Sequence, residues 1–276
     1  MPSFAMKVYD LQWFTSFGMD YDQAADALAD DGIDTVLTQN RLDPLPPSGV
    51  DQTRYLNAHH VRLSEYDDSA WLDALRNCGL QVLETTATLF DPAALARFPG
   101  ARPVNALGEP DAGTDWYTGV CPTDDDYLHW KIGLLGRVAR ELRPDGLFLQ
   151  FMRYPGFWEN WTWNPGYVFT GADRYCFCDR CRTLFAQSQN IELPHGDVAA
   201  QSAAILSQHR AVWTQWRSAR VVEIIARIKR EASLGDQKIM LNTLPFPVRI
   251  LTAAMCETNL RRRIWRRYRP SSIGSS

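Results

Sequence analysis

The sequence has no hydrophobic run of the roughly 20 residues that a transmembrane helix needs. The stretch from Met1 to Phe14 lacks the basic region followed by an apolar region that marks a secretory signal. The net charge of -3 is small and gives no general reason to expect binding to nucleic acid. We therefore expect a cytoplasmic protein that does not associate with membranes.

Several catalytic motifs are also missing. No predicted strand is followed by a glycine-rich phosphate loop, and the chain contains neither Gly-x-Ser-x-Gly nor a His-x-x-x-His metal motif. The adjacent His59 and His60 are interpreted as loop residues. These absences argue against a nucleotide-binding protein, a hydrolase with a serine nucleophile and a histidine-based metal enzyme.

Strand-like and helix-like segments alternate along the chain. Such alternation, with nearly continuous apolar strands, predicts a parallel sheet covered by helices. The long connections follow strands, as in the active face of a (β/α) barrel. A doubly wound sheet is the alternative, but the glycine-rich loop typical of that fold is missing. Strands are predicted at residues 7–14, 33–38, 80–89, 147–152 and 238–244, and helices at 21–31, 69–78, from 123 onward and at 201–231. We expect Asp20 to cap the first helix, Gly32 and Gly79 to end the first two, and Thr123 with Asp126 to form a capping box at the third.

The C-terminal part breaks this pattern. Only five strand–helix units can be counted, whereas a complete barrel has eight. After Pro247 the periodicity ends, and residues 261–269 read RRRIWRRYR. We expect residues 1–250 to form a TIM-like (β/α) barrel that is incomplete or truncated at its C-terminus. Residues 251–276 are then an irregular basic tail, frame-shifted or disordered. An unfinished barrel could also favour a homo-oligomer.

A nucleic-acid-binding arm is the alternative interpretation of this tail, paired with a zinc module. The slightly acidic remainder of the chain argues against it.

Three of the six cysteines form a Cys-x-Cys-x-x-Cys motif at Cys176, Cys178 and Cys181. Close thiols in a chain without a secretory signal favour a soft metal, usually zinc, which takes four ligands. Cys121 closes the long connection after the third predicted strand, and the motif closes the connection after the fourth. Both connections leave the same face of a barrel, so the four thiolates can converge on a structural zinc that pins two loops. Four unrelated buried thiols are the alternative.

These residues carry a family resemblance. Cys121-Pro122, the cysteine motif and Phe185 together resemble the zinc cluster of family 42 glycoside hydrolases, which are (β/α)8-barrel β-galactosidases. Residues 145–155, DGLFLQFMRYP, resemble the fourth strand of a broader set of barrel glycoside hydrolases. The resemblance implies a structural zinc and a carbohydrate substrate hydrolysed by a two-carboxylate mechanism.

Position 150 keeps a second function open. Family 42 enzymes have an Asn-Glu pair at the end of strand four, with the glutamate as general acid/base, and this chain has no such pair. The broader set usually has an acidic residue where this chain has Gln150. A non-catalytic carbohydrate-binding protein, or a degenerate barrel, is therefore the alternative.

The segment after the fourth predicted strand is rich in aromatic residues. Tryptophan side chains stack on the apolar faces of sugar rings, although a local packing core would explain them equally well. Glu159 lies within this segment and is the candidate catalytic acid, because apolar surroundings raise a carboxyl pKa. Asp10 and Glu84 are candidate interior acids or members of a buried polar network. The candidate substrate-binding residues are Arg153, Gln150, Trp158, Trp161, Trp116 and Trp13. For Arg153, a structural salt bridge is the alternative to a contact with a substrate hydroxyl or carboxylate.

Overall fold

The computed structural model describes residues 4–9, 17–43, 45, 66–113, 117–156, 168 and 170–242. Within these residues, five parallel strands form one sheet in the order β1-β2-β3-β4-β5. The strands are β1 (Ala5–Val8), β2 (Thr35–Thr38), β3 (Gln81–Ala87), β4 (Gly146–Gln150) and β5 (Lys238–Leu241). The predicted α/β class is confirmed, because the strands are parallel and alternate with helices. Parallel strands that pair in chain order are the arrangement found in (β/α) barrels.

Seven α-helices accompany the sheet in the described part of the chain. They are α1 (Tyr21–Asp30), α2 (Asp68–Asn77), α3 (Ala94–Arg97), α4 (Asp125–Glu141), α5 (Asp179–Gln189), α6 (Val198–Gln208) and α7 (Arg210–Glu231). None of the helices in these ranges is both long enough and apolar enough to cross a bilayer.

The chain divides into two compact units. Of the described residues, the first comprises those within 4–102, 112–155 and 224–242, and the second comprises those within 103–111 and 156–223. The first unit contains the whole sheet, α1 to α4 and the end of α7. The second contains α5, α6 and the greater part of α7. In it, Trp213 of α7 stacks on Phe177 and on Trp216, both at 5.0 Å between ring centroids.

The sheet has two faces that differ in their surroundings. We call the first the inner face; on it, Leu37, Leu83 and Phe148 form a hydrophobic cluster against which Tyr9 packs. The second, the helix-covered face, carries Val36, Thr38, Val82, Glu84 and Thr86. Alternation along each strand and the register, which pairs Leu37 with Leu83 and Thr38 with Glu84, assign the residues to these faces.

Helix α2 lies on the helix-covered face. Its Trp71 is fully buried and donates a hydrogen bond from Nε1 to Thr38 Oγ1 at 3.1 Å. The bond satisfies a polar group that burial would otherwise leave unpaired. The side chains on this side of the sheet are therefore enclosed by helix rather than presented to solvent.

Local signals for helix ends are largely confirmed. Asp20 caps α1 in a reciprocal capping box with Gln23. Gly32 and Gly79, expected to end the first two predicted helices, have φ values of +77° and +76°. At α4, however, the predicted Thr123–Asp126 capping box is wrong. Asp124 is the N-cap, and its Oδ1 accepts from Tyr127 N at 2.9 Å.

Other boundaries also differ from the predictions. The first strand begins at Ala5 rather than at residue 7, and residues 10–14 of the prediction lie outside the described residues. The single helix predicted at 201–231 is two helices, because His209 leaves helical geometry at φ −123°. No proline or glycine marks that position, so residue pattern gives no signal for the break.

Helix α5 was not predicted. Its sequence is mostly polar, and only Cys181, Arg182 and Phe185 are buried. Phe185 packs edge-on against Trp213 at 4.8 Å, so tertiary packing rather than a broad apolar stripe accounts for this helix.

Candidate functional site

The four cysteines of the predicted metal site lie together. The Sγ atoms of Cys121, Cys176, Cys178 and Cys181 are all within 4.8 Å of one another. Cys121, Cys176 and Cys181 are fully buried, whereas Cys178 is partly exposed. Four thiolates around one zinc ion, with Zn–S bonds of about 2.3 Å, have sulfur atoms about 3.8 Å apart. The spacing and the donor set fit a tetrahedral metal ion.

Local structure orients these thiols. Cys178 occupies the N-cap position of α5 and Cys181 lies in its first turn, where the helix dipole favours negative charge. The backbone N–H of Val104 donates to Cys176 Sγ at 3.5 Å. The Oγ1 atom of Thr123 lies 3.2 Å from Cys121 Sγ. Hydrogen bonds of this kind stabilise metal-bound thiolates and fix their direction.

The remaining cysteines were not expected to be ligands. Cys78 follows α2 and donates from Sγ to Asp26 Oδ1 at 3.1 Å, so it takes no part in the cluster. Cys256 lies outside the described residues.

Glu84 belongs to a buried polar network on the helix-covered face. Its Oε2 accepts a hydrogen bond from Asn40 Nδ2 at 2.7 Å, and Oε1 has no hydrogen-bond partner in the described part of the chain. Burial raises the pKa of Glu84 to about 8, against the lowering effect of the Asn40 bond. Of the two interpretations of this residue, the structure supports the network. The other candidate interior acid, Asp10, lies outside the described residues.

A second buried network was missed from sequence. Lys131 of α4 is only 2% exposed, and its Nζ contacts Asp43 Oδ1 at 2.7 Å and Asp91 Oδ2 at 3.7 Å. Asp43 also accepts a hydrogen bond from Thr86 Oγ1. Burial raises the pKa of Asp91, and the Lys131 ammonium opposes that shift.

A sequence signal for this network did exist. Lys131 lies three residues after Leu128 and four before Leu135, so it interrupts the apolar stripe of α4.

Gln150 ends β4 on the inner face. Its Nε2 donates to the hydroxyl of Tyr9 at 2.6 Å, and the side chain is nearly buried. Burial raises the pKa of Tyr9 to about 12, so this phenol stays protonated at neutral pH. An amide and a hydroxyl can bind sugar hydroxyl groups by donating and accepting hydrogen bonds, but neither transfers a proton as a carboxyl group does.

Arg153 lies three residues beyond the end of β4. Its guanidinium carbon is 5.4 Å from the ring centroid of Tyr117 and 5.7 Å from that of Phe151. Tyr117 in turn stacks on Phe90 at 5.3 Å, with an angle of 4° between the ring planes. The described residues provide no carboxylate paired with Arg153, so the predicted alternative of a structural salt bridge has no support among them.

The other predicted site residues lie outside the described residues. These are Glu159, Trp158, Trp161, Trp116 and Trp13.

The fold belongs to the class of (β/α)-barrel proteins, and solved structures that share it include glycoside hydrolases. A β-galactosidase from Halorubrum lacusprofundi is 16% identical over 92% of this chain and 39% of its own, with a TM-score of 0.55. A β-galactosidase from Marinomonas ef1 is 15% identical over 87% of this chain and 37% of its own, with a TM-score of 0.54. Gan42B, a GH42 β-galactosidase from G. stearothermophilus, is 12% identical over 87% and 35% of the two chains, with a TM-score of 0.53.

At these identities the likeness shows the fold alone. The chain spans about 35–39% of the length of these three proteins. No protein-family model matches the sequence, and no curated protein matches it either.

Proposed function

We propose that this chain is a glycoside hydrolase that acts on a carbohydrate at the carboxyl edge of its sheet. The observation that supports this most is the four-cysteine cluster, which resembles that of family 42 enzymes and occurs in a fold shared with a GH42 β-galactosidase. In (β/α) barrels the loops at the carboxyl ends of the strands form the active site. Gln150 and Arg153 occupy that edge in this chain.

Glycoside hydrolysis requires two carboxyl groups that flank the scissile bond. Glu159 is our proposed general acid, which donates a proton to the departing glycosidic oxygen. Gln150 and Arg153 are proposed to bind sugar hydroxyl groups, and Trp158, Trp161, Trp116 and Trp13 to stack on the sugar rings.

One observation favours a second candidate, a carbohydrate-binding protein without catalytic activity. On the inner face, the strand positions that the structure describes carry no carboxylate, and Gln150 is hydrogen-bonded to Tyr9. A degenerate barrel of this kind retains ligand binding but lacks the proton donor or the nucleophile that the reaction needs.

Activity on a panel of nitrophenyl glycosides distinguishes the two candidates. If the chain is an enzyme, the wild-type protein releases nitrophenol from at least one substrate. Glu159→Gln then lowers kcat by at least about 100-fold, the lower range for loss of general acid catalysis. The exposed Glu141→Gln serves as the matched control and retains activity.

Sugar-dependent tryptophan fluorescence without any turnover would instead support the binding protein. Full activity in Glu159→Gln would contradict the role given to that residue.

We also infer that the bound metal is zinc and that its role is structural. Four thiolate ligands fill a tetrahedral coordination sphere and leave no position for a water molecule or a substrate. The metal would therefore stabilise the fold rather than take part in hydrolysis.

A further inference from the structure

We infer that the carboxyl edge of the sheet recognises an acidic sugar, and that Arg153 binds its carboxylate. This inference rests on the proposed function, since it assumes that the ligand is a carbohydrate. It adds the chemical class of that carbohydrate, a uronic acid residue, which the fold by itself does not imply.

The first argument is the state of the Arg153 side chain. Its guanidinium carbon lies 5.4 Å from the ring centroid of Tyr117 and 5.7 Å from that of Phe151, so it makes cation–π contacts with both rings. The Nε atom is buried and has no hydrogen-bond partner among the residues that the structure describes. The side chain as a whole is half-buried and has no carboxylate partner among the described residues, so its guanidinium is available to an anion.

The backbone holds Arg153 in position. Its N–H donates to the carbonyl of Phe151 at 2.8 Å, which forms a tight turn directly after β4. Phe151 has a φ of +53°, a left-handed conformation that is uncommon for an aromatic residue. The turn therefore fixes the backbone of Arg153, and the rings of Tyr117 and Phe151 restrict the position of its guanidinium. A fixed donor fork loses little entropy when it forms two parallel bonds with a carboxylate.

The second argument is the separation of charge between the two faces of the sheet. The described strand positions of the inner face carry no acid, and they include Lys7, whose Nζ lies 5.3 Å from the centroid of the Phe148 ring. Glu84 lies on the opposite face, where Asn40 donates to it. Asp43 is bound on that side by Thr86 and Lys131. The inner face therefore favours an anionic ligand over a cationic one.

The neighbouring polar groups suit the remainder of a sugar. Gln150 and Tyr9 offer an amide and a hydroxyl that bind uncharged hydroxyl groups. A carboxylate fits the guanidinium fork, while sulfate and phosphate esters share the same charge-assisted chemistry. The experiment must therefore separate a uronate from a sulfated sugar.

Titration calorimetry with the full-length chain and matched sugars tests the inference. The probes are galactose and glucose oligosaccharides, the corresponding galacturonate and glucuronate oligosaccharides, and galactose 6-sulfate. We expect a uronate to bind at least about tenfold more tightly than its neutral counterpart, because only the uronate carboxylate accepts charge-assisted hydrogen bonds from the Arg153 guanidinium. The preference should weaken as salt is raised.

Variants identify the residue responsible. Arg153→Gln should remove the preference for the uronate over its neutral counterpart, because the ionic contact to the carboxylate is lost. Arg153→Lys should keep part of the preference, which shows that the variant site remains folded. Arg137→Gln, which loses an exposed pair with Glu141 on α4, is the matched control and should bind like wild type.

The outcomes separate this inference from the proposed function. Absence of binding to every sugar would overturn both. Binding of neutral sugars as tightly as uronates, or a preference that survives in Arg153→Gln, would overturn the inference alone. Tighter binding of the 6-sulfate than of the uronates would overturn the assignment to uronic acids.

Discussion

Glu84 shows how burial changes the chemistry of a single carboxyl group. Its side chain is enclosed on the helix-covered face and receives one hydrogen bond, from Asn40. One hydrogen bond does not replace the hydration that an ionised carboxylate loses on burial, so the pKa rises to about 8. In the folded protein Glu84 therefore holds its proton at pH values where the unfolded chain has lost it.

This difference predicts a pH dependence of stability. The folded pKa of Glu84 is about 8 and the ordinary value is 4.5, so the folded state binds more protons between these values. The free energy of unfolding should consequently fall as pH rises from 4.5 to 8, by at most about 1.4 kcal/mol per pH unit from this residue.

We expect Glu84→Gln to remove that slope. The difference in unfolding free energy between the variant and wild type should therefore favour the variant more at pH 8 than at pH 5. Urea unfolding at both pH values measures the difference. The exposed Glu141→Gln is the control and should leave the slope unchanged. Equal slopes for wild type and Glu84→Gln would show that Glu84 is ionised in the folded protein.

Lys131 and Arg153 show two opposite uses of a cation. Lys131 is enclosed between the carboxylates of Asp43 and Asp91, so its charge is balanced within the protein. Arg153 contacts the rings of Tyr117 and Phe151, and its Nε has no hydrogen-bond partner within the described ranges. The first arrangement stabilises a fold, whereas the second leaves binding capacity for a ligand.

Two glycines, one in α4 and one in β4, differ in whether their surroundings leave space for a side chain. Gly133 lies at an exposed position within α4, and an added Cβ would meet no atom within 4 Å. Gly146 begins β4, where an added Cβ would lie 2.4 Å from the carbonyl oxygen of Lys238 and 2.8 Å from Leu83 Cδ2. The close approach of β4 to its two neighbouring strands therefore depends on glycine at position 146.

We predict opposite effects for the two alanine substitutions. Gly133→Ala should stabilise the protein by up to about 1 kcal/mol, because alanine is the better helix former. Gly146→Ala should destabilise it by about 2 kcal/mol or more, since backbone atoms of β5 cannot move away cheaply. Midpoints of urea unfolding provide the comparison. A stable Gly146→Ala variant would mean that β4 and β5 are not held at this spacing.

The elements also show where local patterns suffice. The N-cap at Asp20 follows from neighbouring residues alone and was predicted correctly. The start of α4 was not, because Thr123 and Asp124 are adjacent and both can cap a helix. Contact between Thr123 and Cys121 Sγ, together with the bond from Tyr127 to Asp124, makes Asp124 the cap.

For the molecule as a whole, the proposed zinc site has measurable consequences. Metal analysis should find about one zinc ion per chain, bound by Cys121, Cys176, Cys178 and Cys181. Removal of the metal should lower Tm substantially, because binding to the folded state contributes directly to folding free energy. Cys176→Ser should lose the metal and show the same loss of stability.

Cys78→Ser is the matched control, since Cys78 bonds to Asp26 away from the cluster. It should retain the zinc. A metal-free wild-type protein of unchanged stability would contradict the metal site.

The sequence by itself determined the α/β class, the ends of α1 and α2 and the group of four cysteines. These depend on periodicity, on capping residues and on rare residue types at recognisable spacings. All of these features involve residues that are close together in the sequence. Only the tertiary structure decided which face each buried side chain occupies. In a parallel sheet buried on both sides, alternation divides a strand into two sets but does not say which set meets the helices. Glu84 and Gln150 therefore looked alike in sequence, as polar residues within strands. Their different surroundings follow from long-range packing.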